Sequence, residues 1–146
     1  MTTSSHAKWL IPVDGSETAL NAVRYAIDAA RQAALPPEIT LINVQSPLSN
    51  DITRFINAET LKEYHQDTGN EALAGALELM KQSGLAHDTQ VLIGDSATVI
   101  ADFARQQGST LIIMGARGLG SFIGALLGSV TMKVVHLSAA PVLLVK

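Results

Sequence analysis

The sequence predicts an α/β fold in which an open parallel sheet of five strands is covered by helices on both faces. Three observations predict it. Short apolar runs of strand length alternate with amphipathic segments of helical period, the pattern of successive βαβ units. The run Thr110–Met114 (TLIIM) is almost continuously apolar, as a strand buried on both faces of a parallel sheet must be. The 146 residues, 47% hydrophobic and 16% charged, amount to about one domain and suffice for one core. We find no linker, internal repeat or low-complexity block beyond the polar tail Thr2–His6, so residues 1–146 read as one domain with residues 1–6 as a flexible tail.

The elements follow in order. Lys8–Val13 (KWLIPV) is an apolar run that stops at Asp14-Gly15-Ser16, residues that favour turns and helix starts, and it reads as the first strand. From Ser16 the period becomes helical: Leu20, Val23, Ile27 and Ala30 share a stripe, Ser16 is a natural N-cap, and Pro36-Pro37 ends the segment. Glu38–Val44 (EITLINV) is the second strand and Ser46–Asp51 a loop. A long helix is expected over about 57–83, with Leu61, Tyr64, Thr68, Leu73, Leu77 and Met80 on one stripe, Gly69-Asn70 weakening its middle and Gly84 closing it. Thr89–Ile93 is the third strand. Ser96 opens a helix whose Ile100, Phe103 and Ala104 face inward. After the fourth strand, Thr110–Met114, a helix is expected over Ser129–Leu137 with Val130, Val134 and Leu137 aligned, and Pro141–Val145 is the fifth strand.

Composition excludes several classes of function. The net charge of −3 argues against a nucleic-acid binder, whose footprint is basic. The absence of cysteine removes disulfide frameworks, thiolate nucleophiles and Cys-ligated metals, and it fits a cytoplasmic protein. Ser4, Ser5, His6 and Lys8 interrupt any signal-peptide core. The longest uncharged stretch, between Arg117 and Lys133, has 15 residues, below the ~20 that a membrane helix needs, although Gly120, Gly124 and Gly128 repeat at helix-pairing intervals.

In an open parallel sheet, ligands sit beyond the carboxyl ends of the strands, so the residues after each strand are the ones to read. After the fourth strand comes a glycine-rich stretch from Gly115 to Gly128. It is not a Walker loop, because Ser121 stands where lysine is required, and not a dinucleotide fingerprint, because Gly124 comes one residue late and follows the wrong strand. What remains is Gly115, Gly118 and then Gly128-Ser129 ahead of a helix. Glycines let backbone N–H groups approach an anion, and the helix start supplies free donors and partial positive charge, with Arg117 and Lys133 adding to it. A loop glycine followed by an N-cap accounts for Gly128-Ser129 equally well at this level.

These residues resemble the universal stress protein family. Gly115-Ala116-Arg117-Gly118 with Leu127-Gly128-Ser129-Val130 is similar to its nucleotide signature G-x2-G-x9-G-[S/T], with every fixed position present. Ile11-Pro12-Val13-Asp14-Gly15-Ser16, Leu41-Ile42-Asn43-Val44 and Ala140-Pro141-Val142-Leu143-Leu144-Val145 are similar to it too, so the resemblance runs from Lys8 to Lys146. It implies strand order 3-2-1-4-5, the adenine nucleotide alpha hydrolase-like arrangement, with ATP, ADP or AMP over strands one and four, assisted by Mg²⁺ or Mn²⁺. Carried over by position, Pro12, Val13 and Asp14 lie along the nucleotide, and Asp14 anchors ribose, phosphate or a phosphate-bound metal. Val44 reads adenine through its main chain. Met114 and Gly115 flank the sugar and phosphates, and Arg117, Gly118, Gly128, Ser129 and Val130 surround the phosphate tail. Ser121-Phe122-Ile123 departs from the resemblance, since the family's loop is often more polar there, and the departure bears on the loop's ordering and on any partner contact.

Three functional classes remain: a nucleotide-dependent sensor or regulatory module of the stress response, a slow ATPase or nucleotide-transfer enzyme, and an interaction module with an unused pocket. Asp14 is the acid nearest the glycines and no base is paired with a nucleophile, so no catalytic residue is assigned and any hydrolysis is expected to be slow. His6, His65, His87 and His136 lack metal-binding spacing and are expected at exposed or helix-terminal places. Gly94-Asp95-Ser96-Ala97-Thr98 lacks the last glycine of a nucleophile elbow. In the implied order the last strand is an edge, and Val142-Leu143-Leu144-Val145 carries no charge to repel a second copy, so a homodimer through it is expected.

Overall fold

The computed structural model describes residues 6–116 and 128–146. Its elements are β1 (Lys8–Pro12), α1 (Glu17–Gln32), β2 (Glu38–Gln45), α2 (Asn50–Thr53), α3 (Ala58–Ser83), β3 (His87–Ile93), α4 (Ser96–Gln107), β4 (Leu111–Gly115), α5 (Ser129–Leu137) and β5 (Val142–Val145). The strands form one parallel sheet in the order β3-β2-β1-β4-β5, as expected.

Strand alternation divides the core into two layers. Ile11, Ile39, Leu41 and Ile113 point toward α1 and α3, where they meet Val23, Ala26, Leu73 and Met80. Leu10, Ile42, Ile112 and Met114 point the other way, onto Ile100, Phe103 and Ala104 of α4 and Val134 of α5. β1 and β4 are joined side by side by Trp9↔Leu111 and Leu10↔Ile112. Below these rungs Thr110 fastens the seam: its N–H donates to the Lys8 carbonyl at 2.7 Å, and its Oγ1 accepts from the Lys8 N–H at 3.0 Å.

Three local expectations need correction. The loop over Ser46–Asp51 contains the start of the short helix α2, an isolated turn without an apolar stripe to announce it. In α3 the buried positions are His65, Gly69, Leu73, Ala76 and Met80, so the stripe set by Leu73 and Met80 continues backwards in fours. Tyr64 therefore points outward, 48% exposed, and His65 is buried in mid-helix rather than exposed or terminal. α4 opens at Ser96 as expected, and Asp95 caps it, its Oδ2 accepting from both the Thr98 N–H and Oγ1. On α5 only Thr131 and Val134 are buried, whereas Val130 and Leu137 are partly exposed.

Candidate nucleotide site

At the carboxyl edge of the sheet the chain leaves β1 through Val13 and Asp14 and reverses at Gly15, whose φ of +88° suits glycine. The turn is bonded internally: Asp14 Oδ1 accepts from the Ser16 N–H at 2.9 Å, and Ser16 Oγ accepts from the Ala19 N–H at 3.2 Å, capping α1. This turn borders a pocket of about 260 Å³, built by β1 (Pro12), its turn (Val13, Asp14, Ser16), the end of β2 (Val44), α4 (Ser96, Ile100), the end of β4 (Met114, Gly115) and α5 (Val130, Thr131). Val13, Val44, Ile100 and Met114 give it apolar walls for a flat ring, and the start of α5 gives it a polar end.

Of the residues singled out in the sequence, Pro12, Val13, Asp14, Val44, Met114, Gly115 and Val130 line this one pocket. Gly128 is the N-cap of α5 and Ser129 its first residue, directly ahead of Val130, but Ser129 borders an open hollow along α5 with Met132 and Lys133. Arg117 and Gly118 lie outside the described residues. Sequence reasoning missed Ser16, Ala19, Ser96, Ile100 and Thr131 as lining residues. Ser96 and Ile100 are four apart on one face of α4 and follow the third strand, a position at which a ligand-facing residue is sought; Thr131 lies one step beyond Val130 in the same helical turn.

Asp14 is the one carboxylate among the described lining residues. At the start of α4, the Thr98 hydroxyl and N–H and the Lys133 ammonium, 3.9 Å away, hold the Asp95 carboxyl below its ordinary range. Among the described residues no three His, Asp or Glu side chains are grouped to hold a metal ion. A wider hollow of about 530 Å³ opens at the opposite edge, around Lys8, Trp9, Glu38 and His87. Lys8 pairs there with Glu38 at 3.8 Å and His87 Nδ1 meets the Leu85 carbonyl at 2.9 Å, and the hollow lies at the amino ends of the strands, away from the edge where such sheets bind ligands.

A family model described as the universal stress protein family matches residues 7–146. The chain belongs to the universal stress protein family. Among curated universal stress proteins it is similar to MJ0531 of Methanocaldococcus jannaschii, 31% identical over 97% of this chain and 82% of that protein. Among solved structures it is similar to the hypothetical protein MJ0577, with TM-score 0.74 and 29% identity over 97% of this chain and 96% of that one. It is also similar to a universal stress protein in complex with cAMP, with TM-score 0.71 and 25% identity over 98% of this chain and 99% of that one. As a universal stress protein it has the five-stranded parallel sheet seen in the family, and among its described residues no helix is long and apolar enough to cross a membrane.

Proposed function

We propose that this protein binds an adenine nucleotide at the pocket over β1 and β4 and works as a nucleotide-dependent regulatory module of the cytoplasmic stress response. The observation that carries the reading is the convergence of Pro12, Val13, Asp14, Val44, Met114, Gly115 and Val130, from four separate stretches of chain, on one pocket. The similar universal stress protein that holds cAMP supports the adenine class. In this reading the Val44 main chain meets the base, Asp14 meets the ribose or phosphates, and Gly118, Gly128 and Ser129 with Arg117 take the phosphate tail.

A tetra-anionic tail needs more positive charge than one helix end, about +0.5, supplies, so Mg²⁺ or Mn²⁺ is expected on the phosphates with Asp14 beside it. Asp14 alone offers no paired base and nucleophile, and hydrolysis is expected far below ~10 turnovers per second. The regulatory output is read by a protein partner and by a second copy of the chain at the β5 edge.

Mass spectrometry of the small molecules released when freshly purified protein is denatured tests the ligand, and calorimetry with ATP, ADP, AMP and cAMP, each with and without Mg²⁺, tests its affinity. Gly118→Val and Gly128→Val are expected to weaken binding in folded protein, because a side chain there blocks the approach of backbone amides to phosphate. Parent-like binding by both variants overturns the phosphate assignment.

A further inference from the structure

The ladder between β1 and β2 ends at Pro12↔Ile42, yet the chain stays fastened for one residue more. The Val13 N–H donates to the Ile42 carbonyl at 2.7 Å, and the Val13 carbonyl accepts from Asn43 Nδ2 at 2.8 Å. Asn43 is 4% exposed, and strand alternation turns its side chain to the same face as Ile39 and Leu41, opposite Val44. An amide in such a place is costly unless both its ends are bonded. Here both are: a carbonyl can only accept, so the nitrogen faces Val13, and the oxygen accepts from Gln45 Nε2.

We infer that Asn43 is a positioning residue for the nucleotide pocket, acting from behind the sheet through the Val13 carbonyl. The Val13 carbonyl and the Asp14 N–H belong to one planar peptide group. By holding the oxygen, Asn43 sets the plane that carries Asp14 into the pocket, just before the chain turns at Gly15. Gln45 in turn keeps the Asn43 amide from rotating. The pocket-facing side of β2 thus touches the ligand through Val44, while the hidden side, one residue earlier, sets the angle of the β1 turn. This inference rests on the proposed function only for its ligand.

The test compares the parent with Asn43→Leu, which removes both bonds, and Asn43→Asp, which turns an acceptor toward the Val13 carbonyl. Each is titrated with Mg²⁺-ATP and with AMP by calorimetry, melted, and followed by amide hydrogen exchange without nucleotide. We expect cooperative melting, faster exchange of the Val13 amide that donates to Ile42, and roughly tenfold weaker binding, as when the competent turn is populated about one-tenth of the time. Should neither variant fold, Gln45→Ala decides, with roughly threefold weaker binding expected from a loosened Asn43 amide and parent-like binding overturning the inference. A folded Asn43→Leu protein with parent-like affinity overturns it, even if its melting midpoint falls, because the amide is then purely structural. A parent that binds no adenine nucleotide overturns the proposed function and this inference together, whereas a binding parent with unaffected variants removes only the role of Asn43.

Discussion

Gly115 stands first in the glycine pattern read as a phosphate cradle, but its surroundings give it a second job. A Cβ there would lie 2.4 Å from the Thr18 carbonyl carbon and 2.7 Å from the Ala19 nitrogen, in the backbone of the first turn of α1. Gly115→Ala is therefore expected to cost about 1–3 kcal/mol by overpacking and to spoil the pocket with it, measurable by urea unfolding beside calorimetry. Gly128, at φ −63° and ψ 156°, has a backbone that any residue adopts, so Gly128→Val is expected to cost only the poorer N-cap, about 1 kcal/mol, while weakening binding. A similar contrast holds in α3. At Gly69 a Cβ meets both Val91 methyls at 2.5 Å, whereas at Gly75 it meets only the flexible end of Leu20, at 3.2 Å. Gly69→Ala is expected to lower the melting midpoint, and Gly75→Ala to raise it by the helix-propensity gain of about 1 kcal/mol. The glycine spacing was legible in the sequence; which glycines answer to packing was not, because nothing in a one-dimensional pattern says that α1 begins against the end of β4.

The helix ends were among the more legible elements. Ser16 caps α1, Asn57 caps α3 by accepting from the Thr60 N–H at 2.8 Å, and Gly84 closes α3 in the left-handed conformation. Asn57→Ala is expected to cost about 1 kcal/mol, seen as a shifted denaturant midpoint at unchanged m. Asp95 gives a pH test. Its carboxyl lies below the ordinary 3.8, first through the Thr98 hydroxyl and N–H and then through Lys133. The folded value is the lower one, so the charge contributes stability that is complete above the unfolded value and is lost as pH falls through the folded one. Asn keeps an oxygen for the cap and removes the charge, so the melting midpoints of the parent and Asp95→Asn are expected to differ at neutral pH and to converge under acid. The start of α4 at Ser96 was legible too, with Asp95 before it as the cap. The stripe of α3 was read through Tyr64 because hydrophobicity favours tyrosine over its neighbour, while the geometry of fours puts His65 inside.

For the molecule as a whole, alternation of strands and helices made the parallel sheet legible, whereas the order of the strands came from the family resemblance. That order leaves β5 at an edge. The Pro141 and Val145 carbonyls accept from the Ile112 and Ala116 N–H groups, so the peptide groups of odd-numbered residues turn inward and the N–H groups of Val142 and Leu144 face outward. On α5, Met132, Val135 and Leu137 are 59%, 48% and 47% exposed, a further apolar surface of the molecule. Leu144→Pro removes an outward donor, and sedimentation at tens of micromolar is expected to shift from dimer to monomer with helical content kept; a parent that is already a monomer removes the dimer. The β1–β4 seam carries one consequence more. Thr110 and Lys8, which fasten it, are 102 residues apart, and the pocket takes six lining residues from the part of the chain before β3 and six from the part after it. As the polypeptide emerges from the ribosome, β1 waits as a bare edge and half a binding site until β4 is made and docks against it. Under the proposed function, binding waits until β4 and α5 have been made, and a nucleotide bridging the two halves is expected to act as a rivet against their coming apart.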